Sequence, residues 1–181
     1  NNDDLNTAQK ATLILAINEV NNKVDAHKAE SAKDDVHGLK KKAQLIRLNV
    51  SQSIPSGEDT LIQFNDIVQT FGNLNFFDTG NPTRFTIPSG VNIVKLKGIL
   101  SIASAPAGLY ELKILKKGAV SNRLRRTHYS NGGSSNFFIS IDSTLESVSE
   151  NDYFELALFQ NSGGNVGLSS YTPHFEIEVI E

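Results

Sequence analysis

The chain of 181 residues contains no cysteine and no methionine. Without cysteine there is no disulfide, no thiolate nucleophile and no cysteine-ligated zinc. A cysteine-free chain tolerates oxidising and reducing surroundings alike. Methionine is missing even at position 1, so Asn1-Asn2-Asp3-Asp4 reads as the cut end of a longer chain. The lack of a visible leader there is therefore uninformative. No apolar run approaches the length a bilayer needs, so no membrane insertion is expected. An excess of one charge is also missing: a net charge of −3 gives no electrostatic reason to expect nucleic acid as the partner. With 39% hydrophobic and 20% charged residues the chain reads as an ordinary globular one, with room for one sizeable domain plus a helical segment.

What is present changes character once, near residue 45. Before that point Leu13, Ile17, Val20 and Val24 recur at steps of 4, 3 and 4. This is a heptad seam, the pattern of helices that wrap around copies of themselves. Thr7 offers a hydroxyl for the free amides of a first turn. No Gly or Pro interrupts Ala8 to Val24, and a helix is expected from Thr7 to about Lys28. β-branched residues at both core positions lean toward three strands. The register continues onto His27 and Ser31, where it weakens. The alternative is a single amphipathic helix packed on the rest of the chain. An isolated coil of this length is marginal, so a head or upstream sequence must supply most of the stability. The polar stretch from Asp25 to Lys42 predicts a second short helix broken near Gly38, and Lys40 to Lys42 mark a junction.

From residue 44 onward apolar residues alternate, as in Glu176-Ile177-Glu178-Val179-Ile180. Period 2 is the signature of strands with one buried face. Strands are expected at 44–50, 60–65, 84–87, 91–103, 109–116, 123–129, 136–142, 153–160 and 174–180. Turn chemistry separates them, for example Pro88-Ser89-Gly90, Pro106-Ala107-Gly108, Asn131-Gly132-Gly133 and Ser162-Gly163-Gly164-Asn165. Strands without intervening helices predict an antiparallel β-sandwich of the jelly-roll kind. The expected organisation is a helical stalk over 1–43 and a mainly β head over 44–181. That architecture points to a multimeric binding or structural protein rather than an enzyme.

Chemistry-bearing residues are few. Arg123, Arg125, Arg126, His128 and Tyr129 form the densest cationic and hydrogen-bonding cluster in the head. Arginine forks suit phosphate and carboxylate, and a tyrosine ring offers a stacking face for a sugar. The competing reading is a solvated hairpin whose arginines pair with carboxylates of a neighbouring protomer. His27 in a seam would bring three imidazoles around one axis, able to ligate a metal or an anion; the competing reading is a polar layer that sets register, and no metal site is assigned. His37 beside Gly38 reads as a turn residue, and His174 as a strand-edge residue. Glu146, Glu150 and Asp152 gather near one turn, where a solvated turn or a cation site fits better than a glycosidase pair. Asn49-Val50-Ser51 matches a glycosylation sequon, but a strand is expected there and the match is read as chance. There is no GxxxxGK phosphate loop, no HExxH and no GxSxG elbow. No cofactor and no catalytic residue are assigned.

Several stretches carry a resemblance. Ser51 to Gly57 leads into Thr60-Leu61-Ile62-Gln63-Phe64-Asn65; Phe76-Phe77-Asp78-Thr79-Gly80 is followed by Phe85-Thr86-Ile87-Pro88-Ser89-Gly90-Val91. Gly108 to Ile114 precedes Lys117-Gly118, and Leu145 to Leu156 contains Asn151-Asp152 before a long strand. As a set, over roughly 44–181, these resemble the C1q/TNF-like jelly-roll family, especially its versions at the ends of phage and bacterial surface fibres. Two departures stand out: Val91 replaces an aromatic, and Asn151 replaces a glycine whose left-handed conformation asparagine tolerates. Leu5 to Val20, with Ala26-His27-Lys28-Ala29-Glu30 and Asp35-Val36-His37-Gly38-Leu39, resembles a segment of phage tail, baseplate and head-fibre proteins.

The resemblance implies a homotrimeric virion fibre or appendage; the heptad only permits a trimer. The implied partners are further copies of the chain, virion proteins upstream of Asn1, and a host cell-surface glycan such as a teichoic acid. Ligand contacts are expected on loops at the far end of the jelly roll, first at Arg123, Arg125, Arg126, His128 and Tyr129 and second at Asn161 to Asn165. Alternatives are a purely structural trimerising cap and a spore-surface or secreted C1q-like protein.

Overall fold

The computed structural model of the chain describes residues 7–31, 42–72, 74–117, 119–133, 136–143, 145–170 and 173–180. By contact the chain divides into two compact units, Asn1–Lys40 and Lys41–Glu181.

Among the described residues the first unit contains one helix, α1, over Thr7–Ser31. Its run of helix formers has no breaker, so it extends past Lys28 by three residues. Every residue from 9 to 26 is exposed, including Leu13, Ile17, Val20 and Val24. Glu19 and Lys23 make an exposed i,i+4 ion pair at 2.6 Å, worth only a few tenths of a kcal/mol, about 0.3–0.5. The second short helix expected near Gly38, together with His37, Lys40 and Lys41, lies outside the described residues.

The second unit holds thirteen strands among the described residues. They are β1 (Ala43–Arg47), β2 (Ser53–Ile54), β3 (Asp59–Leu61), β4 (Asp66–Phe71), β5 (Phe85–Thr86), β6 (Ile93–Ala103) and β7 (Ala107–Lys116). There follow β8 (Ala119–Asn131), β9 (Phe137–Asp142), β10 (Glu146–Ser147), β11 (Tyr153–Gln160), β12 (Val166–Leu168) and β13 (His174–Val179). All pairings are antiparallel and form two sheets. The first runs β2-β12-β6-β13-β1-β4, with β9 and β10 on the other edge of β6; the second runs β3-β11-β7-β8, with β5 also on β11.

Four of these strands were not legible as strands. β2, β10 and β12 are two or three residues long, too short for a period to be read from the sequence. β4 is a sheet edge with every residue at least partly exposed, so its two faces carry no contrast. In the opposite direction, β1 stops at Arg47 rather than at residue 50. Asn49 therefore lies in a loop, half-buried, with its amide on Asn65 Oδ1 at 2.9 Å; a strand does not argue against the sequon there.

The alternation puts the core between the sheets. From the first sheet come Ile46, Leu96, Leu100, Phe175 and Ile177; from the second come Phe85, Leu112, Ile114, Phe154 and Leu156. Phe85 is the hub of an aromatic cluster, 4.5 Å from Phe175, 5.3 Å from Phe64 and 5.6 Å from Phe77 between ring centroids. Val91, at the position where the resembling family has an aromatic, is buried in the same core. Asn151 adopts φ +66° in the turn before β11, the left-handed conformation expected of it. Gly98 sits mid-strand because a Cβ there would lie 2.7 Å from Leu156 Cδ1: the two sheets approach closely at that point.

One buried glutamine substitutes for missing ladder partners. Gln44 Oε1 accepts from the amides of Phe76 and Phe77, both at 3.0 Å, while its Nε2 donates to Asn75 Oδ1 at 2.8 Å and Thr70 Oγ1 at 3.2 Å. The long irregular segment before β5 is thereby held against β1 without a strand of its own.

Candidate binding surface

The strand directions sort the loops. β6 runs from the row where Glu178 pairs with both Ala43 and Lys95 toward Ala103. The chain passes Lys42, whose carbonyl accepts from Val179 N at 2.8 Å, at the first of these ends. The segments around 55–57, 104–108, 130–133 and 161–165 gather at the other. Gly57 N donates to Gln160 O at 2.7 Å, and Gly163 N to Ser56 Oγ at 3.1 Å. A Cβ on Gly108 would lie 2.9 Å from Ser162 Cα, so these two loops touch backbone to backbone. Gln160, fully buried, ties the last loop down: its Nε2 donates to Gly164 O at 2.7 Å and Ile54 O at 3.1 Å, and its Oε1 accepts from Ser162 N at 2.8 Å.

Two sets of predicted residues meet at this end. Tyr129 on β8 faces Leu109 on β7 in register. Asn161, one residue past the end of β11, exchanges two hydrogen bonds with Leu109: its Oδ1 accepts from Leu109 N at 2.7 Å and its own amide donates to Leu109 O at 3.1 Å. Tyr129, Leu109 and Asn161 thus form one row across three neighbouring chain segments. Tyr129 is 73% exposed, the most exposed large apolar side chain among the described residues of the head. Asn165 is exposed in the same loop.

The arginine cluster, by contrast, is divided. Alternation along β8 places Arg125, Thr127 and Tyr129 on the outer face of the second sheet, in register with Lys113, Glu111 and Leu109. Arg126 and His128 pair with the core residues Leu112 and Tyr110 and so face the other way. The His128 ring lies 4.2 Å from that of Phe137. Arg123 is in β8, and its side chain is outside the described residues. Alternation along the pleated strand thus puts Arg125 and Tyr129 on one face of β8 and Arg126 and His128 on the other.

The outer-face arginine is also engaged. Glu111 Oε1 is 3.9 Å from Arg125 and accepts from Thr127 Oγ1 at 3.4 Å. Lys113 lies between Asp59 at 2.6 Å and Glu111 at 3.4 Å, with its ammonium 5.3 Å from the centre of the Phe159 ring. Further along, Glu155 is buried against Arg84 at 3.2 Å, and Arg84 stacks over Tyr153 at 4.4 Å. The carboxylate partners of these cations belong to the same chain. Tyr110-Glu111-Leu112-Lys113-Ile114 announces outward charges at alternate positions that pair with each other, but nothing local announces Asp59 and Arg125 as their further partners.

At the acidic turn the carboxylate nearest β11 is buried rather than solvated. Asp152 is buried and paired with Lys117 at 2.6 Å and Lys116 at 3.0 Å, and it accepts from Ser149 N at 3.1 Å. The two lysines, with the Ser149 amide, hold its carboxyl far below the usual carboxylate range against the opposing effect of burial. Glu146 is half-buried on β10 and Glu150 is exposed. His174 opens β13 opposite Arg47 and Ile99, as a strand residue. The outer face of the first sheet carries a charge ladder, Lys95 beside Glu178 and Lys97 beside Glu176 and Asp142, around a shallow hollow of about 140 Å³. Among the described residues no group of three or more His, Asp or Glu is placed to hold a metal ion. His27 lies within α1, with its side chain outside the described residues.

Among solved structures, the chain is similar to murine APRIL at pH 5.0, with a TM-score of 0.55 and 10% identity over 78% of this chain and 100% of that one. It is similar to Eiger TNF from S. frugiperda with a TM-score of 0.55 and 8% identity, over 78% of this chain and 94% of that one. No family model and no curated protein sequence matches it. The second unit shares the antiparallel β-sandwich fold of these structures, and identities this low speak to fold alone.

Proposed function

We propose that this chain is a homotrimeric virion fibre or appendage protein, with a helical stalk and a jelly-roll head, that attaches to a host cell surface by multivalent binding to a cell-wall glycan. The observation that carries the adhesion reading is the meeting of Tyr129 with the Asn161–Asn165 loop at the end of the strands away from Lys42. Loops on a rigid sandwich are where recognition is placed. Self-association is supported by the seam Leu13, Ile17, Val20 and Val24, whose residues are exposed in the single chain and have the spacing to cover one another across a threefold axis. Three linked heads raise the effective concentration at each weak surface ligand. The virion setting is supported by the resemblance of the N-terminal segment to phage fibre proteins. The role is non-catalytic, with no cofactor.

Light scattering of the whole chain at micromolar concentration tests the trimer: the mass of a single 19.8 kDa chain overturns it. Binding to host cell-wall preparations tests adhesion. A trimer that binds no wall preparation is a structural cap of a fibre instead.

A further inference from the structure

We infer that the ligand unit taken at this end of the head is a neutral sugar stacked on Tyr129, not an anionic polymer held by arginines. The inference rests on the adhesion reading above and names its ligand class.

The geometry supplies an aromatic ring with neutral hydrogen-bonding groups beside it. Tyr129 projects from the outer face, with half-buried Leu109 beside it and Asn161 beyond. Asn161 Oδ1 is held by the Leu109 amide at 2.7 Å, which orients the side chain and leaves its nitrogen to present donors. Asn131, two residues beyond Tyr129 on the same strand, is exposed on the same side. A pyranose has this complementarity: one face of C–H groups for the ring and a rim of hydroxyls for the amides.

Charge argues against an anion. The next rows of the outer face hold Lys113 and Arg125 with Asp59 and Glu111, two cations against two carboxylates. A phosphate at Arg125 would face the Glu111 carboxylate, 3.9 Å from the guanidinium. Arg126 and His128, which the sequence groups with Tyr129, point to the opposite side of β8. A ligand lying flat on Tyr129 does not reach them.

Calorimetry and saturation-transfer NMR on the full chain decide between the two chemistries. The probes are neutral disaccharides (lactose, maltose and N,N′-diacetylchitobiose) and a glycerol-phosphate oligomer. The expected result is weak binding of at least one neutral disaccharide, with Kd of roughly 1 mM per site, weakened about tenfold or more in Tyr129→Ala and retained in Tyr129→Phe. The same binding should change less than about twofold in Arg126→Ala or between about 0.05 M and 0.5 M salt. Circular dichroism of each variant checks that it is folded. Binding of the glycerol-phosphate oligomer alone, lost with salt and in Arg126→Ala, overturns the neutral-sugar inference while leaving adhesion intact. Binding of no probe of either class, by a chain that still adheres to wall preparations, also overturns it; failure of both removes the adhesion reading as well.

Discussion

Asn161 and Leu109, 52 residues apart in the chain, hold each other by a side-chain and a backbone hydrogen bond, at 2.7 and 3.1 Å. The pair fastens the loop after β11 to the start of β7 and so fixes the floor beside Tyr129. Asn161→Ala removes the side-chain acceptor from the Leu109 amide. The expected cost is about 1 kcal/mol, with faster hydrogen exchange at Leu109 and weaker glycan binding. An unchanged exchange rate at that amide would refute the clip.

Gly108 has a second role at the same place. Any Cβ there meets the Ser162 backbone at 2.9 Å, a contact that no rotamer change relieves. Gly108→Ala should push the 161–165 loop away and destabilise the head by about 1–3 kcal/mol. Chemical-shift changes confined to residues near 108 and 161–165, together with a lower urea midpoint, are the expected readout.

Gln44→Leu tests the buried polar clasp. It preserves much of the volume but leaves the Phe76 and Phe77 amides without their acceptor. At about 1–3 kcal/mol for each stranded buried donor, the loss should total about 2–6 kcal/mol in urea unfolding. Asn75→Ala, which removes one of the two partners of Nε2, should cost less.

Asp152 predicts an acid-side dependence of stability. Its carboxyl is held far below its ordinary value of 3.8 by Lys117 and Lys116. A depressed folded-state value means stability that is fully present above the unfolded-state value and is lost as pH falls through the folded one. The melting temperature of the native chain should therefore exceed that of Asp152→Asn at neutral pH, and the gap should narrow below about pH 4. A gap independent of pH would show that the lysine pairing contributes nothing through charge.

Some of this molecule is legible along the chain. The helix follows from a breaker-free run with apolar steps of 4, 3 and 4. β11 is recoverable to the residue because Tyr153 to Gln160 is long and flanked by turn residues. β4 is hidden because an exposed edge strand has no face to distinguish. Asp152 reads as one of several acids in a turn, yet it is buried because the turn folds onto two lysines of β7 and the following residue.

What the sequence determined by itself is therefore local: the switch of period near residue 45, which residues of each long strand share a face, and where asparagine or glycine can take a left-handed turn. Those properties depend only on the order of neighbouring side chains. Tertiary structure alone decided that Glu111 answers Arg125 across two strands, that Asp59 answers Lys113, and that Asn161 meets Leu109. Register and strand order set those relationships. They come from packing two whole sheets around Phe85 and its neighbours, which no short stretch of sequence encodes.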